Sequence, residues 1–226
     1  MFENLKHAAV AALMVASSMA QAAVITYSTA QSEFDSGVLN QGWWSATQSN
    51  TDNNDNHYTG LIGSDSLRSF YTFDLSQLVG TVTSATLRIQ RGNQDGNVNV
   101  KLNDVSTAAS VVNNNFGVSS SIFNDLGTGN SYGSFQVSNG SFSTYLSFDL
   151  NAQALIDINA ATTFFTIGAM VNPNQYIFSS TGGDVTYLDL NVVPSAVPEP
   201  ATVALFGLGL LGFAATRRKS AKSKNA

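Results

Sequence analysis

The sequence predicts an all-β protein: a single antiparallel β-sandwich, jelly-roll-like, with one short helix, flanked by an N-terminal signal helix and a C-terminal transmembrane-type helix. Three observations lead to this prediction. Short runs of apolar residues alternate with polar ones, clusters of Gly, Asn and Asp separate the runs, and only 11% of the 226 residues are charged. Alternation with a period of two is typical of strands that are buried on one face.

Six strands are predicted, and each has a repeating apolar face. Five alternate strictly, whereas the run at 164–170 is apolar more continuously and is expected to be a central strand. In chain order they cover residues 71–75, 85–89, 98–102, 146–150, 164–170 and 188–192. Turn-forming clusters occur between strands, at 91–97, 127–130 and 182–184.

One short helix is predicted after the strand at 146–150. Asn151 is a favourable N-cap, and the residues at 152–156 follow it directly. Two other stretches, 50–56 and 103–121, are polar and are predicted to be loops.

The first 22 residues have the organisation of a secretory signal peptide. A charged start that includes Lys6 precedes the apolar run 8–16, and small residues follow it. Ala20 and Ala22 form the small-x-small pattern at which signal peptidase cuts. Because the apolar run is short for a bilayer span, the sequence predicts cleavage after Ala22. The alternative is an amphipathic or buried N-terminal helix.

The last 30 residues repeat this logic in reverse order, since the apolar run 201–216 lies between a Pro-Glu-Pro motif and a basic cluster. As a helix this run would be roughly 24 Å long at ~1.5 Å per residue, against a hydrocarbon core of ~30 Å. A thinned bilayer accommodates a short span, and the basic cluster is expected to stay cytoplasmic. We therefore expect an extracellular domain, 23–196, and a sorting tail, 197–226. An ordinary membrane anchor is the alternative.

This tail resembles the PEP-CTERM sorting signal. The residues that carry the resemblance are Val197, Pro198, Glu199, Pro200, Arg217 and Arg218. The resemblance implies recognition by an exosortase, a membrane transpeptidase, which cuts the tail near its Pro-Glu-Pro motif. It also implies a location at the cell surface or in the extracellular matrix of a bacterium that makes exopolysaccharide, with only transient anchoring in the inner membrane.

Residues 23–196 are strongly acidic. They contain four basic and thirteen acidic side chains, which gives a net charge of −9. Nucleic acid is not expected as a partner, because phosphate binding needs clustered Lys and Arg. The chain has no Cys, which excludes disulfides and thiol chemistry.

The segment 58–192 resembles the DNRLRE-type jelly-roll domains, which are similar to carbohydrate-binding modules. The resemblance rests on strand pattern, most clearly at 68–76, 82–89, 146–150 and 187–190. It implies a fold and not a ligand, and it carries over no sugar-binding residue. Residues 23–56 are not clearly covered by it.

Trp43 and Trp44 are the sequence-based candidates for glycan contact, because sugar rings stack on flat aromatic faces. Neighbouring residues of a strand point to opposite faces, so we expect one ring in the core and the other on the surface. The alternative is that both rings only pack. Four tyrosines are weaker candidates of the same kind: Tyr58, Tyr132, Tyr145 and Tyr176.

Oxygen-bearing side chains cluster just before His57. Calcium prefers several such ligands, so Asp52, Asn54 and Asp55 form a candidate calcium site, and calcium is the one cofactor that the sequence suggests. The run does not match an EF-hand, because His57 and Gly63 occupy the glycine and glutamate positions. Clustered Asn and Asp also form ordinary turns, which is the alternative.

The sequence predicts no catalytic site. His57 is the only His beyond the signal peptide and is expected in a surface loop. No Gly-x-Ser-x-Gly motif accompanies it, and a zinc site would lack partners. Asp74 and Asp149 each stand between a Phe and a Leu at the end of a predicted strand. We interpret them as strand-end or turn-capping carboxylates. Glycoside hydrolysis would need an opposed pair of carboxylates.

These observations favour an exported, non-catalytic module that binds glycan or associates with exopolysaccharide. Two alternatives stay open: a structural or adhesive surface protein with protein partners, and a polysaccharide-active enzyme. An exposed row of Trp or Tyr would favour the first function, a flat apolar patch the second, and a cleft with two carboxylates the third. The expected partners are signal peptidase, an exosortase-type transpeptidase and exopolysaccharide.

Overall fold

The computed structural model describes residues 21–31, 33–34, 39–51, 56–178 and 184–195, which form eleven strands and three helices. The strands are β1 (Ala23–Ser28), β2 (Gln41–Ser45), β3 (Thr59–Ile62), β4 (Asp65–Asp74), β5 (Thr81–Gln90), β6 (Val98–Asp104), β7 (Ser131–Val137), β8 (Tyr145–Asp149), β9 (Phe164–Val171), β10 (Tyr176–Ile177) and β11 (Tyr187–Val193). The helices are α1 (Ala109–Val112), α2 (Ser120–Asp125) and α3 (Ala152–Ala160).

The strands form two antiparallel sheets. The smaller sheet has the order β1-β11-β5-β8. The larger sheet runs β10-β3-β4-β9-β6-β7, and β2 also pairs with β4. The prediction of a mainly β protein with antiparallel sheets is therefore confirmed.

One hydrophobic core lies between the two sheets, and both contribute side chains to it. Strand β5 shows how the sequence produces this arrangement. Leu87 and Ile89 are fully buried, whereas Arg88 and Gln90, on the opposite face, are half-buried. Burying each such aliphatic side chain contributes roughly 1.5–3 kcal/mol. Period-two alternation in the sequence thus becomes one inner and one outer face of the sheet.

The predicted strands and the predicted helix are confirmed. The six apolar runs correspond to β4, β5, β6, β8, β9 and β11. Helix α3 begins after Asn151, whose side chain accepts hydrogen bonds from the backbone N–H groups of Gln153 and Ala154, at 3.0 and 3.2 Å. This side chain satisfies donors that the first helical turn leaves unpaired.

The prediction of a single helix was wrong. Helices α1 and α2 form within and just beyond 103–121, which was predicted to be a loop. Both are too short to show a helical period, although Ser119 caps α2 by accepting a hydrogen bond from the N–H of Ile122 at 3.2 Å. Val112 of α1, Ile122 of α2 and Leu126, which directly follows α2, pack in a second, smaller core on the larger sheet. Tertiary packing therefore stabilises them, not their own sequence.

Two glycines let this helical segment lie close to the larger sheet. Gly42, Phe70 and Gly168 stand side by side on β2, β4 and β9. A Cβ at Gly42 would overlap the side chain of Asn115, and one at Gly168 would overlap the backbone of Leu126. Around this row the outer face of the larger sheet is consequently covered, whereas the outward residues Asn99, Lys101, Ser134 and Gln136 on β6 and β7 are exposed.

The predicted signal helix and C-terminal helix lie outside the described residues. Within the part of the chain that the structure describes, no helix is long and apolar enough to cross a membrane.

Candidate functional site

The outer face of the smaller sheet brings together aromatic rings and charged side chains. Its register places Tyr187 beside Arg88 and Asp189 beside Thr86, and β8 adds its own outward residues. We call this surface the tyrosine platform. Its members are Thr86, Arg88, Tyr145, Asp149, Tyr187 and Asp189.

Arg88 lies at the centre of the platform and is held by Asp189. Its Nε and Nη2 atoms donate to the two carboxylate oxygens of Asp189, at 2.5 and 3.1 Å. The hydrogen bond from Arg88 lowers the pKa of Asp189, and the same bond raises the pKa of Arg88. The guanidinium carbon also lies 4.7 Å from the ring centroid of Tyr187 and 5.9 Å from that of Tyr145. A cation over an aromatic face is attracted to it, so the Arg88 side chain is preorganised.

The two tyrosine rings form an adjacent, tilted pair. The centroids of Tyr145 and Tyr187 are 5.6 Å apart, and the ring planes make an angle of 55°. Tyr145 is 41% exposed, and its hydroxyl donates to the backbone carbonyl of Val185 at 3.1 Å. Partial burial and the neighbouring Tyr187 raise the pKa of Tyr145. The Tyr145 hydroxyl is therefore neutral near pH 7.

The platform also presents oxygen acceptors beside the rings. Asp149 accepts a hydrogen bond from the hydroxyl of Thr86 at 2.8 Å, and Asp189 accepts one from Thr26 at 2.7 Å. An ionised carboxylate has about four acceptor positions, so each retains capacity for a ligand hydroxyl. The surface combines aromatic faces with hydrogen-bonding groups.

The expectation that Trp43 or Trp44 is exposed was wrong. Trp43 is 7% exposed and Trp44 is 3% exposed. The Nε1 of Trp44 donates to the carbonyl of Val112 at 2.9 Å, because α1 covers this part of the larger sheet. Buried rings of this kind offer no face to a sugar in the folded protein.

The tyrosine candidates separate into three kinds. Tyr132 is fully buried and donates to Asp157 at 3.0 Å, which makes it a core residue. Tyr58 and Tyr176 stack on each other, with centroids 5.8 Å apart and an angle of 20° between the rings. Tyr145 is the one of the four that belongs to the platform.

The prediction that His57 lies in a surface loop was also wrong, because the imidazole is completely buried. The ring edges meet Tyr71 and Phe178 at centroid distances of 5.7 and 6.2 Å. Burial lowers the pKa of His57 to about 4, against the opposing effect of the Asp184 charge. His57 is consequently neutral at pH 7.

Gln41 fixes which nitrogen of His57 carries the proton. The Gln41 amide oxygen accepts from the hydroxyl of Thr29 at 2.7 Å, and its nitrogen donates to the carbonyl of Asp184 at 2.8 Å. The same nitrogen lies 3.2 Å from Nδ1 of His57, so Nδ1 is the acceptor and Nε2 carries the hydrogen. This network is interior and holds β2 against the segment before β11.

The carboxylate interpretation is confirmed for Asp74, whose side chain accepts from the backbone N–H of Ser76 at 2.8 Å. Ala22 is described and exposed, directly before β1. The remaining site predictions lie outside the described residues: Ala20, Asp52, Asn54, Asp55, Val197, Pro198, Glu199, Pro200, Arg217 and Arg218. Within the described ranges, no three His, Asp or Glu side chains come together as a metal site.

Sequence reasoning missed Arg88 and Tyr187 as site residues. Both belong to the outward sets of their strands, so their exposure follows from alternation. Their proximity does not, because it depends on β11 pairing with β5 across about 100 residues of chain.

Residues 196–219 match the PEP-CTERM protein-sorting motif, so the sorting motif predicted at this end is confirmed. The motif implies an exported protein that an exosortase processes and sorts to the cell surface. No curated protein matches the chain.

Proposed function

We propose that the protein is a non-catalytic glycan-binding module of the cell surface or extracellular matrix, delivered there by its exosortase-type sorting tail. The observation that carries this proposal is the tyrosine platform. Tyr145 and Tyr187 supply faces on which sugar rings stack, and Asp149 supplies a hydrogen-bond acceptor farther along the same sheet face. Because Asp189 and Tyr187 already hold Arg88 in place, binding costs less side-chain entropy at this residue.

We further propose a jelly-roll topology, in line with the resemblance to DNRLRE-type domains. The strand order supports it. Eight strands divide into β1-β11-β5-β8 and β4-β9-β6-β7, two four-stranded sheets as in a double Greek key. The platform is then the outer face of one complete sheet.

Processing at both ends is part of the proposal. Cleavage by signal peptidase after Ala22 would leave β1 intact, because β1 begins at Ala23 and pairs there with Val192 of β11. Strand β11 ends at Val193, before the Pro-Glu-Pro motif, so removal of the tail would leave the sheet complete. The protein is then anchored in the membrane only transiently. N-terminal sequencing of the exported protein should show Ala23 first.

A glycan array probed with the exported protein tests the binding function. We expect binding to at least one glycan class, and a loss of affinity of about tenfold, or about 1.4 kcal/mol, for Tyr145→Ala and Tyr187→Ala. Tyr176→Ala is the matched control, since it removes a stacked tyrosine away from the platform. No binding to any glycan, or equal losses in all three variants, would contradict the proposal. Release of new reducing ends would contradict the non-catalytic assignment.

A structural or adhesive role with protein partners is the second candidate. The observation that favours it is a run of exposed apolar side chains before α2. Phe116 is 57% exposed, and Val111 and Val118 are each 49% exposed. If this role is correct, Phe116→Ser should weaken cell adhesion or self-association, whereas Tyr145→Ala should leave both unchanged.

A further inference from the structure

From the same platform we infer the class of glycan that it takes: single, uncharged polysaccharide chains, and neither crystalline polysaccharide surfaces nor acidic polymers. This inference rests on the proposed glycan-binding function. Two independent features of the platform lead to it, namely the angle between its rings and the balance of its charges.

The angle between the rings excludes a flat lattice as the ligand. A crystalline polysaccharide presents one rigid plane, and rings that bind it cooperatively have to lie in a common plane. The rings of Tyr145 and Tyr187 are tilted by 55° although their centroids are only 5.6 Å apart. A rigid plane therefore contacts one ring face at most, whereas a single chain can turn between successive sugars and meet both.

Arg88 further restricts how Tyr187 is approached. Its guanidinium carbon lies 4.7 Å from the Tyr187 ring centroid and covers one face of that ring. At most one face of the half-buried Tyr187 is therefore open to a ligand, next to the exposed ring of Tyr145. The path for a chain thus runs along the two tyrosines, with Asp149 on the same strand as Tyr145.

The charges of the platform disfavour a polyanion. Arg88 is its one cation, and both Nε and Nη2 donate to Asp189, so its charge is compensated. Asp149 adds a further carboxylate. Asp184 lies against the amide of Gln90, and its charge interacts with Tyr145. Like charges brought together at a binding surface cost several kcal/mol. Residues 23–196 as a whole, with four basic and thirteen acidic side chains, add the same repulsion at longer range.

Neutral sugars avoid both conflicts. Their hydroxyl groups donate to carboxylates, and the side-chain oxygens of Asp149 and Asp189 already accept hydrogen bonds from Thr86 and Thr26. Their ring CH groups pack on the tyrosine faces. The platform is therefore complementary to a polyhydroxylated, uncharged chain.

The test compares three kinds of probe with the exported protein: soluble neutral polymers (β-glucan, mannan and xylan), microcrystalline cellulose, and alginate. Affinity electrophoresis measures the soluble probes and a pull-down measures cellulose. We expect at least one neutral polymer to bind, cellulose not to retain the protein, and alginate to bind at least tenfold more weakly at low salt. Tyr145→Ala should weaken the neutral interaction about tenfold, or about 1.4 kcal/mol. Tyr145→Phe, which keeps the ring, and Tyr176→Ala should not.

Charge is tested separately with Asp149→Asn. Asn can still accept the hydrogen bond from Thr86, so the fold should persist while one negative charge is lost. We expect this variant to reduce the difference in affinity between alginate and the neutral polymer. The change should be clearest at low salt, since the Debye length is about 30 Å at 0.01 M.

The outcomes separate the two proposals. Retention on cellulose that Tyr145→Ala abolishes, or binding of alginate as tight as that of every neutral polymer, would overturn the inferred ligand class while leaving glycan binding in place. Failure of all probes to bind, together with an empty glycan array, would overturn the proposed function itself.

Discussion

The outer faces of the two sheets differ in how far other segments cover them, although both are built from the same pleated backbone. On the larger sheet, Gly42 and Gly168 flank Phe70, and the helical segment packs directly over this row. On the smaller sheet, Tyr187 and Ser147 flank Arg88 in the corresponding kind of row. Part of one face packs in a second, smaller core, and the corresponding part of the other keeps its side chains at the surface.

The difference shows what decides whether a sheet face is covered. Glycines beside one large apolar ring leave space in which backbone can approach closely. A row of tyrosine, arginine and serine leaves no such space, and covering its charged centre would require desolvation of that charge. The charged centre of the smaller sheet's outer face is therefore left uncovered by the helices that the structure describes.

The largest effect that sharpens this comparison is expected for Trp44→Ala. The ring is buried beneath α1 and its Nε1 donates to the carbonyl of Val112, so truncation leaves a cavity and removes this hydrogen bond. We expect a loss of about 3–5 kcal/mol in the free energy of unfolding, measured by urea denaturation.

The control is Tyr145→Ala on the open face, where we expect a change below about 1 kcal/mol, because Tyr145 is 41% exposed. Similar losses from both variants would mean that the two faces are packed alike, against the comparison drawn above.

The next largest effect is the pH dependence of the free energy of unfolding that arises from the buried His57. Since burial lowers the pKa of His57 from 6.5 to about 4, the unfolded chain binds a proton between these values while the folded protein does not. Stability should therefore fall as the pH falls from about 6.5 to about 4, by up to about 3 kcal/mol. The dependence fades above the unfolded-state pKa of 6.5, where neither state binds the proton.

His57→Gln isolates this contribution, because glutamine retains polar atoms but does not titrate. Denaturation curves at pH 7, 5.5 and 4.5 should show a shallower decline for the variant than for the unchanged protein. If the stability of both proteins declined equally with pH, protonation of His57 would not be the cause of the acid destabilisation.

The smallest effect is expected for Arg88→Met at the centre of the open face. The ion pair with Asp189 is solvent-accessible, with side-chain exposures of 31% and 24%, and pairs of this kind contribute about 0–1 kcal/mol. Thermal unfolding should shift only slightly, and the shift should shrink at high salt. A large, salt-independent loss would place Arg88 with the buried residues and not with the platform.

Local sequence patterns predicted much of the fold. Alternation located β4, β5, β6, β8 and β11 because a half-buried strand imposes its period on the residues themselves. The cap at Asn151 was readable for the same reason, since an N-cap acts within three residues of its own position. Helices α1 and α2 were not readable, because packing on Trp44 and Phe70 stabilises them.

The errors at the candidate site have one common cause. The exposure of Trp44 and His57 depended on whether distant segments cover them, and residues near 41, 112 and 184 do so. No pattern near position 44 or 57 reports on those segments. The adjacency of Arg88 and Tyr187 likewise depends on strand order, which alternation does not specify.

The sequence alone showed where this protein is sorted, because the sorting motif at 196–219 is a contiguous signal. It also showed which residues alternate in strands. Only the tertiary structure decided which outward faces remain open. A contiguous motif acts through neighbouring residues, whereas a surface is formed by strands that are distant in the chain and by whatever other segments pack over them. The tyrosine platform is such a surface, assembled from β5, β8 and β11 only when the sheet is formed.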